Sequence, residues 1–181
     1  MKKKGALSPT EKITFVALLI AMQVVLGNLL QIPLPTKQFS LGFLPIAVAG
    51  AFFGIPAGVL VGGLGDLIGA HLFPAGAYFY GFTITNALVG LLYGLVLHGR
   101  KLTLVRMSIA VLATLACNLF LNSYWLTYFV SRSYGALLLS RAPTYLIDIP
   151  IAIVVLSLIL PYLESGKIPI VGRVVAAENK R

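Results

Sequence analysis

LVRMSIAVLATLACNLFLNSYWLTYFV, residues 104–130, holds one charge, Arg106, close to its start, and is otherwise almost wholly apolar. A helix climbs about 1.5 Å per residue, so roughly 20 apolar residues cross a bilayer's hydrocarbon core. This run is longer than that, and it reads as a membrane span. Four more runs approach or exceed the same length: Ile13–Ile32, Ile55–Phe73, Phe79–His98 and Leu137–Leu163. A sixth, Leu41–Phe53, has 13 residues and leads into Gly54-Ile55-Pro56, where a protein-lined turn would end it. With 59% hydrophobic and 10% charged residues over a length of 181, the chain has too little charge to wet a globular surface.

The expected fold is therefore an all-α membrane protein of six transmembrane helices. It forms one integral membrane domain over residues 1–181, with tails at about 1–12 and 165–181. Met1-Lys2-Lys3-Lys4 is followed by polar Ser8-Pro9-Thr10-Glu11 and then by a span too long for a signal peptide's apolar core, so the first span is expected to stay. Orientation follows from the cations. With a cytoplasmic N-terminus and six alternating segments, Lys2, Lys3, Lys4, Lys12, Arg100, Lys101, Arg106, Lys167, Arg173, Lys180 and Arg181 fall inside, while Lys37, Arg132 and Arg141 fall outside. That bias places both termini in the cytoplasm by the positive-inside rule. The net charge of +9 thus reports topology and attraction to anionic lipid headgroups, and makes no case for nucleic acid.

Several function classes drop out. No G-x-x-x-x-G-K-[ST] phosphate loop is present, so energy for transport would come from a partner or a gradient. No nucleophile with its base, no H-E-x-x-H zinc helix and no paired carboxylates suggest an intramembrane enzyme. His71 and His98 sit singly at span ends without metal-ligand spacing, and Cys117 reads as a small core residue. No cofactor or metal is expected. Of five acidic residues, Glu11, Glu164 and Glu178 lie at or beyond the membrane edge, which leaves Asp66 and Asp148 within spans.

Small and polar residues then pattern the spans. Ala17 and Ala21 form a small-x-x-x-small pair, a face that another helix can approach closely. Gly54, Gly58, Gly62, Gly65 and Gly69 make a ridge nearly free of side chains, with Asp66 inside it. Three polar stripes at helical spacing outline a cavity: Tyr78, Phe82, Thr85 and Asn86; Asn118, Asn122 and Trp125; and Arg141, Tyr145 and Asp148. Aromatic faces, amides and one charge of each sign suit a flat heteroaromatic ligand of vitamin size. The bland alternative is that these groups satisfy one another between helices. Because intramembrane charge is costly, Arg141 and Asp148 favour a site, and its polar groups place the opening on the outer side.

Three runs carry a resemblance: Phe43-Leu-Pro-Ile-Ala-Val-Ala-Gly50, Gly62-Gly-Leu-Gly-Asp-Leu-Ile-Gly69 and Phe73-Pro-Ala-Gly-Ala-Tyr-Phe-Tyr-Gly-Phe-Thr83. Leu121-Asn-Ser-Tyr-Trp-Leu126, and Arg141 with Pro150 downstream, add to it. From roughly Ile13 to Leu160 the chain resembles the substrate-binding S components of energy-coupling-factor transporters, most closely their folate branch. The resemblance implies a bacterial plasma-membrane protein that captures a vitamin, folate first, and works with a transmembrane coupling subunit and two ATPases. It also implies that Ala17 and Ala21 dock on the coupling subunit. The binding residues are expected to be Tyr78, Phe82, Asn86, Asn122, Trp125, Arg141, Tyr145 and Asp148. Asp148 could accept two parallel hydrogen bonds from a 2-aminopyrimidine edge. Where the family pattern has an arginine and a lysine, this chain has Asn28 and Thr144, which weakens the case for folate's dicarboxylate tail. A smaller heterocyclic vitamin or precursor, of pyrimidine or pyridoxine type, is the second reading within the class. Helical arithmetic also sets Asn28 nearer the Ala17/Ala21 face than the face of Gln23, Gly27 and Gln31.

Two rivals come from other classes: a stand-alone carrier, which would show inverted repeats or paired broken helices, and a structural scaffold. If the resemblance holds, purified protein in liposomes without an ATPase will show no net uptake of folate; uptake there would sink the subunit reading.

Overall fold

The computed structural model describes residues 8–33, 38–74, 78–165 and 172. Lys2, Lys3, Lys4, Lys37, Lys167, Arg173, Lys180 and Arg181, used above for orientation, lie outside the described residues, as do Glu178 and positions 75–77 of the third run.

Helix α1, Pro9–Val24, begins where Ser8 and Glu11 close a capping box: Glu11 N–H donates to Ser8 Oγ at 3.2 Å and Ser8 N–H to Glu11 Oε2 at 2.8 Å. A wider π-helical turn, Val25–Leu29, continues it. Two short antiparallel strands follow, β1 at Ile32–Pro33 and β2 at Gln38–Phe39, with Ile32 opposite Phe39. Helix α2, Phe43–Val48, is continued by a second π-helical turn, Ala49–Phe53, and ends at Gly54, whose φ of 86° is easy only for glycine. Then come α3 (Ile55–Leu72), α4 (Tyr80–Leu97), α5 (Leu104–Leu126) and α6 (Tyr134–Glu164). Thr103 and Ser133 cap the last two through their side chains.

Five of these helices are long and apolar enough to cross a membrane: Pro9–Leu29, Ile55–Leu72, Tyr80–Leu97, Leu104–Leu126 and Tyr134–Glu164. Phe43–Phe53 is a shorter apolar helix. Their outward faces are greasy, with Leu139 78% and Leu158 67% exposed, as expected of side chains that meet lipid. The inner faces build one core, in which Ile46, Val61, Val89, Leu97, Val111 and Leu156 are almost wholly covered.

Helix α3 is the axle of the bundle, packing most extensively on α4 and also on α1. A Cβ added at Gly62 would strike the carbonyl oxygen of Asn86, and one at Gly58 that of Gly90, so α3 and α4 run antiparallel with their backbones touching. On another side Gly65 meets the Gln23 side chain and Gly69 that of Asn28, so α1 and α3 run in the same direction. Tyr93 beside Thr114, and Trp125 beside Thr85, make α5 antiparallel to α4. The short connection at 127–133 turns the chain back, so that α6 packs along α5 in the reverse direction.

Gly62 and Gly63 give a paired test. A Cβ at Gly63 meets only Ala87, at an ordinary 3.5 Å. Gly63→Ala should be neutral or raise the thermal unfolding midpoint in detergent, since alanine favours helix over glycine by about 1 kcal/mol. Gly62→Ala should lower it, by roughly 1–3 kcal/mol of overpacking. Equal midpoints for the two variants would refute the close α3–α4 contact.

Candidate functional site

A cavity of about 310 Å³ lies among α1, the stretch before α2, α2 itself, α4, α5 and α6. Pockets that hold small molecules start at roughly this size. Six of the eight residues expected from sequence line it: Phe82, Asn86, Asn122, Arg141, Tyr145 and Asp148. Tyr78 and Trp125 are not among the lining residues.

Each of those two has a local reason. Trp125 Nε1 donates to Thr85 Oγ1 at 3.0 Å, and its ring lies over Gly81 and against Phe79, which draws it into the α4–α5 seam. The cavity face of α5 passes instead through Asn118, Asn122 and Leu126, at steps of four. Tyr78 precedes α4, where Phe79 is extended, so helical arithmetic does not reach it. Its hydroxyl meets Thr83 Oγ1 at 2.5 Å and its ring sits 4.8 Å from that of His71.

The sequence stripes also stopped short, by about two turns on α4 and one on α6. On α4 the lining continues to Val89 and Tyr93, and on α6 to Ala152. On α1 the wall is Gln23, Gly27 and Gln31. An α-helix drifts at a spacing of four, and the π-helical turn Val25–Leu29, with more residues per turn, takes up the drift. Asn28 points elsewhere, its amide packed where Gly69 leaves room. Ser40, Gly42, Phe43 and Ile46 close the remaining side, and no periodic signal marks the first two.

The wall is polar in a directed way. Asn118 Nδ2 donates to the Thr114 carbonyl at 3.0 Å, and Asn122 Nδ2 donates to Asn118 Oδ1 at 3.1 Å. A backbone carbonyl only accepts, so it fixes the orientation of both amides. Asn122 Oδ1 is left buried without a hydrogen-bond partner among the described residues, as are Arg141 Nε and Gln23 Oε1. The Arg141 guanidinium, 8% exposed, otherwise donates to Ser123 Oγ at 3.2 Å and Tyr145 Oη at 3.4 Å. Its Cζ stands 5.7 Å from the centre of the Tyr145 ring. Asp148, 5% exposed, lies two turns further along α6 on the same face. Buried polar groups are ordinarily satisfied, so lone ones around a cavity point to a ligand that completes them. Among the described residues no group of three or more His, Cys, Asp or Glu could hold a metal.

The chain is 31% identical over 143 residues to the "Folate transporter FolT" of Clostridium novyi (strain NT), covering 78% of this chain and 83% of that one. It is 33% identical over 119 residues to the protein of the same name from Leuconostoc mesenteroides subsp. mesenteroides, covering 65% of this chain and 64% of that one. Its fold is similar to a crystal structure of FolT bound with folic acid, with a TM-score of 0.75 and 27% identity over 81% of this chain and 90% of that chain. Residues 11–160 match the family described as "ECF transporter, substrate-specific component", and the chain is a member of that family.

Proposed function

We propose that this protein is the folate-capture subunit of an energy-coupling-factor importer in a bacterial plasma membrane. The observation that carries the reading is the Arg141 guanidinium, buried on the cavity wall, whose Nε, like the Asn122 Oδ1 of the same wall, has no hydrogen-bond partner among the described residues. Folate's heterocycle offers N–H donors for such oxygens and for Asp148, its rings fit beside Phe82 and Tyr93, and its carboxylates suit a guanidinium. Similarity to folate transporters, and to a structure holding folic acid, supports the same ligand.

Two observations favour a smaller heterocycle as the second reading. Asn28 and Thr144, at positions where the family pattern has cations, both lie off the cavity lining, so Arg141 is the one cation among the lining residues described. The volume of about 310 Å³ is also near the low end for ligand pockets. Mass spectrometry of small molecules released from gently purified protein separates the two. Folate is expected; a consistent non-folate heterocycle would overturn that choice while keeping the class. Arg141→Ala should weaken folic acid binding by roughly thirtyfold or more, as expected when a buried charged partner is truncated. Unchanged binding would remove Arg141 from the site.

Six membrane-embedded segments with both termini cytoplasmic also belong to this proposal, in one domain. The helix directions support it: α1 and α3 run the same way, so α2 returns the chain whatever its depth, and the short connection at 127–133 folds α6 back along α5. The proposed partners are a transmembrane coupling subunit and two ATPases, and no chemistry is catalysed by this chain. Ala17 and Ala21, both exposed on α1, form the proposed docking face. Ala17→Leu combined with Ala21→Leu should leave folic acid binding by the isolated subunit within about twofold, surface changes being mild. ATP-driven uptake by the assembled importer should fall severalfold, and intact uptake would dismiss this face.

A further inference from the structure

Asp66 is the intramembrane carboxylate that the cavity does not use directly: it lies on α3, which contributes no lining residue. Both its oxygens are engaged from α4. Thr83 Oγ1 donates to Oδ2 at 2.6 Å and Asn86 Nδ2 donates to Oδ1 at 2.8 Å. A threonine hydroxyl has one proton, and Thr83 directs it at Asp66, so the hydroxyl of Tyr78, 2.5 Å from Thr83 Oγ1, must donate to Thr83. Every bond in the chain from Tyr78 to Asp66 thus has one direction. At the far end stands Asn86, which does line the cavity. A carboxylate accepts and does not donate, so the amide nitrogen of Asn86 must face Asp66 with one of its two N–H groups, and its carbonyl oxygen is turned away from Asp66 and left for a ligand.

We infer that Asp66 is a positioning residue for substrate recognition: it locks the Asn86 amide so that the cavity presents an acceptor there and selects a ligand with an N–H at that point. This rests on the folate-capture reading, in which the heterocycle supplies the N–H. Asn122 makes the same offer from α5, its amide fixed by the Thr114 carbonyl through Asn118. The two walls therefore share one polarity, set on one side by a backbone carbonyl and on the other by Asp66. A structural glue would need no such common sense of direction.

An exchange of the pair tests this. Folic acid binding is measured by titration calorimetry on folded, full-length protein in detergent, with the ligand-free unfolding midpoint taken for each variant. Asn86→Asp sets two carboxylates against each other and should cost at least tenfold in affinity. Asp66→Asn frees the Asn86 amide to turn and should also cost about tenfold, the typical worth of one net hydrogen bond or a little more. The double variant Asp66→Asn with Asn86→Asp lets the new amide donate to the new carboxylate, and an acceptor again faces the ligand. Its affinity should return to within about threefold of the natural chain's, on the same scale. Single variants that bind as the natural chain does would overturn the positioning role, as would a double variant with a natural unfolding midpoint and no recovery of binding. If the natural chain itself binds no folic acid, the folate reading falls first and this inference with it.

Discussion

Close backbone contact along α3 is the constraint from which the rest of the molecule follows. In a lipid solvent there is no water to expel between helices, so association depends on packing and on hydrogen bonds across the seam. Gly58 and Gly62 let α4 touch α3 through main-chain atoms, and Gly65 and Gly69 admit the Gln23 and Asn28 side chains of α1. Larger residues on this ridge would hold the helices apart. Asp66 could then no longer reach Thr83 and Asn86, whose side chains must arrive within hydrogen-bond length from α4. The ridge thus sets the distance at which the polar chemistry operates, though it contributes nothing to the cavity wall.

Much of this was legible in the sequence, for a physical reason. Apolar run length fixes which segments enter a bilayer, and the helices at Tyr80–Leu97 and Tyr134–Glu164 fall within a few residues of the runs that announce them. The stripe Arg141, Tyr145 and Asp148 also lies together on the cavity wall, because α6 stays α-helical through those positions despite Pro143. Departures arise where the period changes. A π-helical turn keeps Gly27 and Gln31 in line with Gln23 at the cavity, a face that the sequence shows without assigning it a role. Tyr78 lies before the helix to which its stripe assigned it, and Trp125 obeys a hydrogen bond to Thr85. Ser40 and Gly42 come from irregular chain, which periodicity cannot address.

The side-chain amides of the site illustrate how orientation is inherited. An asparagine can present either a donor or an acceptor, and its neighbours decide which. In this cavity each decision traces back to a group with no choice: the Thr114 carbonyl behind Asn118 and Asn122, and the Asp66 carboxylate behind Asn86. In a low-dielectric interior such chains are costly when incomplete and specific when complete. Satisfaction within the bundle stops at the cavity edge, where Asn122 Oδ1 and Arg141 Nε have no protein partner among the described residues.

That incompleteness has a consequence in time. On the proposed reading a ligand completes both groups and must abandon them before water can replace it, and stranding a buried polar group costs about 1–3 kcal/mol. Each 1.4 kcal/mol is tenfold in a rate or an equilibrium, so together they slow escape by roughly a hundredfold or more. Residence on the protein is then long compared with encounter. On that reading catching the solute runs downhill, and prising it loose is the step that needs work.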